Sequence, residues 1–172
     1  MSTIPPRMTD AKRIAVCPGS YDPITNGHLD IIGRTAAQFD EVVVAVVNVS
    51  VRKNQPIFEI EERISFIEEA TAGMDNVRAE PFSVLVVDFA QAIGARTIVK
   101  GLRAISDFEY ELEMGQLNRM QAPNVDTLYL MASPQYSFLS SSGVKELATF
   151  GGDIDSLVPE RVARRLKEEL TR

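Results

Sequence analysis

The 172-residue chain contains no Trp, one Cys and one His. A lone Cys cannot form an internal disulfide, and beside a lone His it cannot build the clusters that hold a structural zinc. No stretch approaches the roughly 18 consecutive apolar residues of a membrane span. There is no excess of positive charge: 18 Lys and Arg face 24 Asp and Glu, a formal net charge of −6. That balance argues against a general binder of nucleic acid or of anionic membranes. The dinucleotide fingerprint GxGxxG does not follow the first β-branched run, and the phosphate-loop pattern GxxxxGK[ST] occurs nowhere. Residues 1–11 carry Pro5-Pro6 and two charges but no apolar run, so they predict a loose tail without a secretory leader. The expected compartment is the cytoplasm. No repeat and no low-complexity tract appears, which leaves one domain over 12–172.

What is present is an alternation of short β-branched runs and longer amphipathic ones, in a chain that is 45% apolar. The runs Arg13–Cys17, Glu41–Asn48, Val77–Glu80, Thr97–Val99 and Thr127–Met131 read as strands. The second is nearly continuous Val and Ala, as a strand covered on both faces requires. Helical patterns fill Gly27–Phe39, Glu59–Ala72, Val84–Ile93, Asp107–Gln121, Ser141–Phe150 and Pro159–Leu170. In the second of these Ile60, Ile64 and Ile67 share one side, with Glu and Arg expected opposite. Strand then helix, repeated, predicts an α/β fold: a single Rossmann-like domain with a five-stranded parallel sheet and helices on both faces. Ligands of such sheets lie beyond the carboxyl ends of the strands, which directs attention to the segments after the first, second and fourth.

Three segments there carry chemistry. The first strand runs into Pro18-Gly19-Ser20-Tyr21-Asp22-Pro23-Ile24-Thr25-Asn26-Gly27-His28. A His in the first turn of a helix opposes the helix dipole unless an anion binds there, taking bonds from the helix N–H groups and the imidazole together. The plainer reading is a helix cap with a solvent-facing ring. Lys100-Gly101-Leu102-Arg103 follows the fourth strand and sets a Gly between two cations, so that backbone and both charges could approach phosphate. Four carboxylates within 107–113 come next, which on their own read as a solvated helix face. Tyr136-Ser137-Phe138-Leu139-Ser140-Ser141-Ser142 ends in three hydroxyls before a helix, either ordinary N-caps or a phosphate cradle. Cys17 reads as a small packing residue and Tyr110 as core rather than a neighbour of adenine.

Thr25-Asn26-Gly27-His28 has the T-x-G-H form of the nucleotidylyltransferase superfamily. With Lys100–Arg103, Asp107-Phe108-Glu109-Tyr110-Glu111 and the three serines in order, the chain resembles bacterial phosphopantetheine adenylyltransferase over about residues 12–170. That resemblance implies transfer of AMP from ATP to 4′-phosphopantetheine, giving dephospho-coenzyme A and pyrophosphate, with coenzyme A as feedback inhibitor. It implies catalytic roles for His28, Lys53 and Arg103. It implies ATP contacts from Ser20, Tyr21, His28, Gly101, Leu102, Arg103, Glu111 and Tyr136 to Ser142 (Tyr136, Ser137, Phe138, Leu139, Ser140, Ser141, Ser142), and contacts to the second substrate from Ser20, Lys53, Val86 and Lys100. Lys100 stands where many members carry Arg, which keeps the charge and loses the planar fork. The loop lysine depends on spacing. Counting back from Phe58 reaches Asn54, and a one-residue loop difference restores Lys53, with Arg52 the alternative. The resemblance also implies a homohexamer.

The chemistry suits what the chain lacks. A phosphate monoester with a second pKa of about 6 is already largely dianionic at neutral pH and needs no general base. It needs alignment and neutralisation of charge on the phosphates. Mg2+ fits as an ion carried on the ATP phosphates, with no protein-held metal site. Other nucleotidylyltransferases acting on small molecules, or a silent nucleotide-binding module, are the competing readings.

Overall fold

The computed structural model describes residues 11–48 and 55–170. The tail expected over 1–11 falls almost wholly outside them, as do Arg52, Lys53 and Asn54. Five strands alternate with helices in the order β1 (Ile14–Gly19), α1 (Asn26–Ala36), β2 (Glu41–Val47), α2 (Ile60–Ala70), β3 (Val77–Phe82), α3 (Val86–Ala92), β4 (Thr97–Leu102), α4 (Ile105–Gln121) and β5 (Asp126–Met131). Two further helices close the domain, α5 (Ser141–Thr149) and α6 (Glu160–Leu170). The sheet is wholly parallel, in the order β3-β2-β1-β4-β5. This is the expected Rossmann-like architecture, and the direction in which successive strands are added to the sheet reverses at the β1/β4 boundary.

Strand alternation divides the core in two. Ala15, Cys17, Val42, Val44 and Val46 face the cluster built with α1, α2, α5 and α6. Val16, Val43 and Ala45 face the other cluster, with Val87, Phe89 and Ala90 of α3. Val42 to Val46 are fully buried, which explains why β2 reads as an unbroken apolar run. Cys17 is buried among them, and burial pushes its thiol up to about 12, so it acts as a neutral packing group.

Strand ends and one helix face differ from expectation. β1 continues through Pro18 and Gly19, and β4 includes Lys100, Gly101 and Leu102, because each has a full row of partners on a neighbouring strand. Arg63, expected on the solvent side of α2, is 3% exposed. Its guanidinium turns inward to three backbone carbonyls: Ser20 at 2.7 Å, Val47 at 3.1 Å and Phe58 at 3.1 Å. Tyr110 is not core but about half exposed on α4.

Candidate active site

A cavity of about 360 Å³ opens at the carboxyl edge of the sheet, over the reversal between β1 and β4. Its walls are the β1–α1 turn, the end of β4, the first turns of α4, and the segment from Tyr136 to the start of α5. All three segments singled out in the sequence therefore meet in one place.

The β1–α1 turn holds its functional groups by local bonds. Gly19 is needed for close approach: a Cβ there would come within 3.0 Å of the Tyr21 ring. Tyr21, at φ 47°, is buried; its hydroxyl donates to the Cys17 carbonyl at 2.8 Å, and its ring stands edge-on to His28 with centroids 5.0 Å apart. Thr25 caps α1. The His28 N–H donates to Thr25 Oγ1 at 3.3 Å, and the Thr25 N–H donates back to His28 Nδ1 at 3.0 Å. This is a capping box in which an imidazole takes the place usually held by Glu or Gln. Nδ1 is an acceptor, so the ring proton sits on Nε2, the nitrogen away from the cap. Burial, and then the charges of Arg103 and Lys100, push the His28 pKa down to about 4. His28 is both cap and cavity wall, and at neutral pH it offers an N–H rather than a positive charge. The sequence-level conflict with the helix dipole disappears, because the ring is uncharged.

Across the cavity each cation is held by a carboxylate of α4. Lys100 Nζ lies 3.2 Å from Glu111 Oε1, and Arg103 Nε donates to Asp107 Oδ2 at 3.0 Å. Arg103 also donates through Nη1 to the Leu139 carbonyl at 2.9 Å, which ties the end of β4 to the serine segment. The acidic run is thus no merely solvated face: two of its members orient the two cations. Among the described residues the charges lining the cavity cancel, Lys100 and Arg103 against Asp107 and Glu111. Gly101 is needed between them, because a Cβ would come within 2.9 Å of Ile31 Cγ1.

The serines divide their work. Ser140 caps α5, accepting from the Gly143 N–H at 3.0 Å. Ser141 Oγ donates to the Pro23 carbonyl at 2.7 Å, and Ser142 lines the cavity with both. Of the amides in the first turn of α5, that of Gly143 is taken by Ser140 Oγ, and the others lack an acceptor inside the helix, as at any helix start. Cap and cavity wall are one structure here.

Of the residues assigned from the sequence, Ser20, Tyr21, His28, Lys100, Gly101, Arg103, Glu111, Tyr136, Leu139 and Ser140 to Ser142 line the cavity. Leu102, Ser137, Phe138 and Val86 do not. The Leu102 side chain is buried at the end of β4, and Phe138 is largely exposed. Val86 begins α3, and Ser137 Oγ donates to the Pro134 carbonyl. Lys53 lies outside the described residues. Asp107 lines the site and was read as part of an acidic run and of the motif behind the resemblance, with no role of its own; its spacing of four from Arg103 was the available signal.

Residues 16–147 match the family described as cytidylyltransferase-like. The chain belongs to that family. Its fold is shared with a protein described as a nicotinate-nucleotide adenylyltransferase of Vibrio parahaemolyticus, at TM-score 0.68 and 18% identity over 94% of this chain and 96% of that one. It is shared too with a bifunctional NMN adenylyltransferase/ADP ribose pyrophosphatase of Francisella tularensis, at TM-score 0.69 and 16% identity; 94% of this chain matches 51% of that one. Membership of the cytidylyltransferase-like family makes the chain an enzyme of the nucleotidyltransferase type. Among the described residues no helix is long and apolar enough to cross a membrane.

Proposed function

We propose that this cytidylyltransferase-like protein transfers AMP from ATP to 4′-phosphopantetheine, releasing pyrophosphate and forming dephospho-coenzyme A, the fourth step of coenzyme A synthesis from pantothenate. The observation that carries this reading is the convergence of T-x-G-H, Lys100–Arg103, Glu111 and Ser140–Ser142 on one cavity, in the order and residue types of the family the sequence resembles.

The proposed chemistry is an in-line attack by a phosphomonoester oxygen on the α-phosphate, with the bond to pyrophosphate breaking. The acceptor arrives as an anion, so the site works by alignment and charge stabilisation. His28 Nε2–H is placed to donate to an α-phosphate oxygen as charge gathers there. Lys100 and Arg103, held by Glu111 and Asp107, face the phosphates, and the α5 cradle receives the leaving pyrophosphate. Lys53 is proposed as a further cation from the loop after β2. Val86 is proposed to meet the pantetheine arm through its backbone.

Mg2+ is proposed to ride on the ATP phosphates, where it would neutralise charge on the triphosphate. The donor set fits that mode, since Asp107 and Glu111 are occupied by Arg103 and Lys100, and among the described residues no cluster of three metal-binding side chains exists. We also propose feedback inhibition by coenzyme A, a cytoplasmic location and assembly as a homohexamer. Self-association is supported by the apolar surface of α4 and β5, where Leu112, Leu117, Met120, Leu128 and Met131 are each 44–76% exposed.

A second reading has its own support. The two solved structures named above carry the names of mononucleotide adenylyltransferases, so nicotinate mononucleotide is the competing acceptor. Pyrophosphate release from ATP, measured with 4′-phosphopantetheine, nicotinate mononucleotide and nicotinamide mononucleotide in parallel, decides between them. Turnover confined to 4′-phosphopantetheine is expected. Turnover confined to a mononucleotide would replace the reading.

A further inference from the structure

Asp22 is 5% exposed and makes four bonds to two distant parts of the chain. Oδ1 accepts from the Ile57 N–H at 3.1 Å and the Phe58 N–H at 3.0 Å; Oδ2 lies 3.0 Å from both the Ile57 nitrogen and Lys145 Nζ. Neither Asp22 nor Lys145 lines the cavity. Asp22 is buried and Lys145 is 27% exposed, and desolvation offsets much of the attraction in such a pair, so its value is sought in geometry.

The placement of this pair is informative. Asp22 lies three residues before the α1 cap, Thr25, and Lys145 lies one helical turn after Ser141 in α5. Ser141 Oγ binds the carbonyl of Pro23, the neighbour of Asp22. Helix α5 is therefore fastened twice, one turn apart, to adjacent residues of the turn that carries Ser20 and His28. The backbone donors of Ile57 and Phe58 fix Asp22 independently of Lys145. Asp22 is the post and Lys145 the arm.

We infer that Asp22 and Lys145 are positioning residues that set the N-termini of α1 and α5 against each other across the cavity. The inference rests on the nucleotidyl-transfer reading of that cavity. Contacts on both helix ends must meet one triphosphate, and a misplacement of about 1 Å can cost roughly 100-fold in rate.

Lys145→Met removes the arm and leaves Asp22 its backbone donors. Well below the melting temperature it should lower kcat/KM by about 10- to 100-fold, with a raised KM for ATP. Lys145→Arg, which keeps the charge, should recover most of that loss. The double variant Asp22→Asn with Lys145→Met should be no worse than Asp22→Asn alone. Calorimetric titration with MgATP needs no acceptor and judges the pair separately from the choice of substrate. Binding to Lys145→Met about tenfold weaker than to wild type supports the inference even if 4′-phosphopantetheine proves the wrong acceptor. A Lys145→Met protein that loses thermal stability but keeps wild-type MgATP affinity, or wild-type kcat/KM, would overturn it.

Discussion

Replacing His28 tests two jobs, the helix cap seen in the structure and the phosphate donor proposed above. His28→Ala removes the Nε2–H donor and also the Nδ1 acceptor of the Thr25 N–H. Thr25 is 1% exposed, so its amide is left without a partner where water is scarce. Loss of a transition-state donor costs about 10²–10³ in turnover. A buried N–H deprived of its acceptor costs about 1–3 kcal/mol, and for a domain of this size each kcal/mol lowers Tm by roughly 2–4 °C. His28→Ala should therefore be both slow and less stable. His28→Asn is the discriminating variant, because Asn Oδ1 occupies the place of Nδ1 and no atom replaces Nε2. It should keep a Tm close to wild type while turnover falls by the same about 10²–10³. Pyrophosphate release and thermal melting on the purified variants measure both. Near-normal turnover in His28→Asn would refute the donor role. A melting temperature as low as that of His28→Ala would refute the capping role.

Lowering the pH reaches the same residue from another side. His28 stays neutral in the native protein down to about 4 against an ordinary value of 6.5, so between those values the unfolded chain takes up a proton that the native one refuses. Stability present above pH 6.5 should fall as pH drops through that window, by up to about 3 kcal/mol, and His28→Asn should show a shallower acid limb in denaturant titrations. Gly101→Ala should destabilise by about 1–3 kcal/mol in denaturant melts and raise the KM for ATP, since its Cβ would press on Ile31 within the cavity wall; wild-type behaviour would mean that Ile31 yields freely. Lys53→Ala should harm turnover far more than Asn54→Ala, and the reverse ranking would make Asn54 the position that counts. Coenzyme A should bind about 10- to 150-fold more weakly to Lys100→Ala or Arg103→Ala, and unchanged calorimetric affinity in both would place the inhibitor elsewhere.

The fold was readable because its signals are local and periodic. A β2 of continuous Val and Ala, and helices with apolar residues three and four apart, leave few alternatives to a parallel sheet. Strand ends were less legible, since Lys100 to Leu102 are strand only by virtue of their pairing with β5. The site residues at Thr25–His28, Lys100–Arg103 and Ser140–Ser142 were legible as motifs, but their commitments were not. The order of residues offered caps or a cradle for the serines without choosing between them, and it does not show that Ser141 is tied to Pro23 or that His28 carries no charge. Arg63 was misplaced for the same reason. Helical periodicity put it outside, and the unpaired carbonyls that draw it inward belong to residues as far as 43 positions away.

The guanidinium of Arg63 has a meaning beyond tying three carbonyls. The carboxyl edge of a parallel sheet ends in bare C=O dipoles with their negative ends outward, an unfavourable floor for a polyphosphate. A permanently charged group sits under that floor, and its hydrogen bonds go to backbone oxygen. Asp22, Glu59 and Glu61 act on its charge from nearby, and the guanidinium stands behind the cavity wall rather than in it. Among the described residues the charged groups lining the cavity are two cations and two carboxylates, so a cation set behind the wall adds to the potential there. A guanidinium held by backbone oxygens at the carboxyl edge is one way for an acidic chain to set positive charge near that edge without using a residue of the cavity wall.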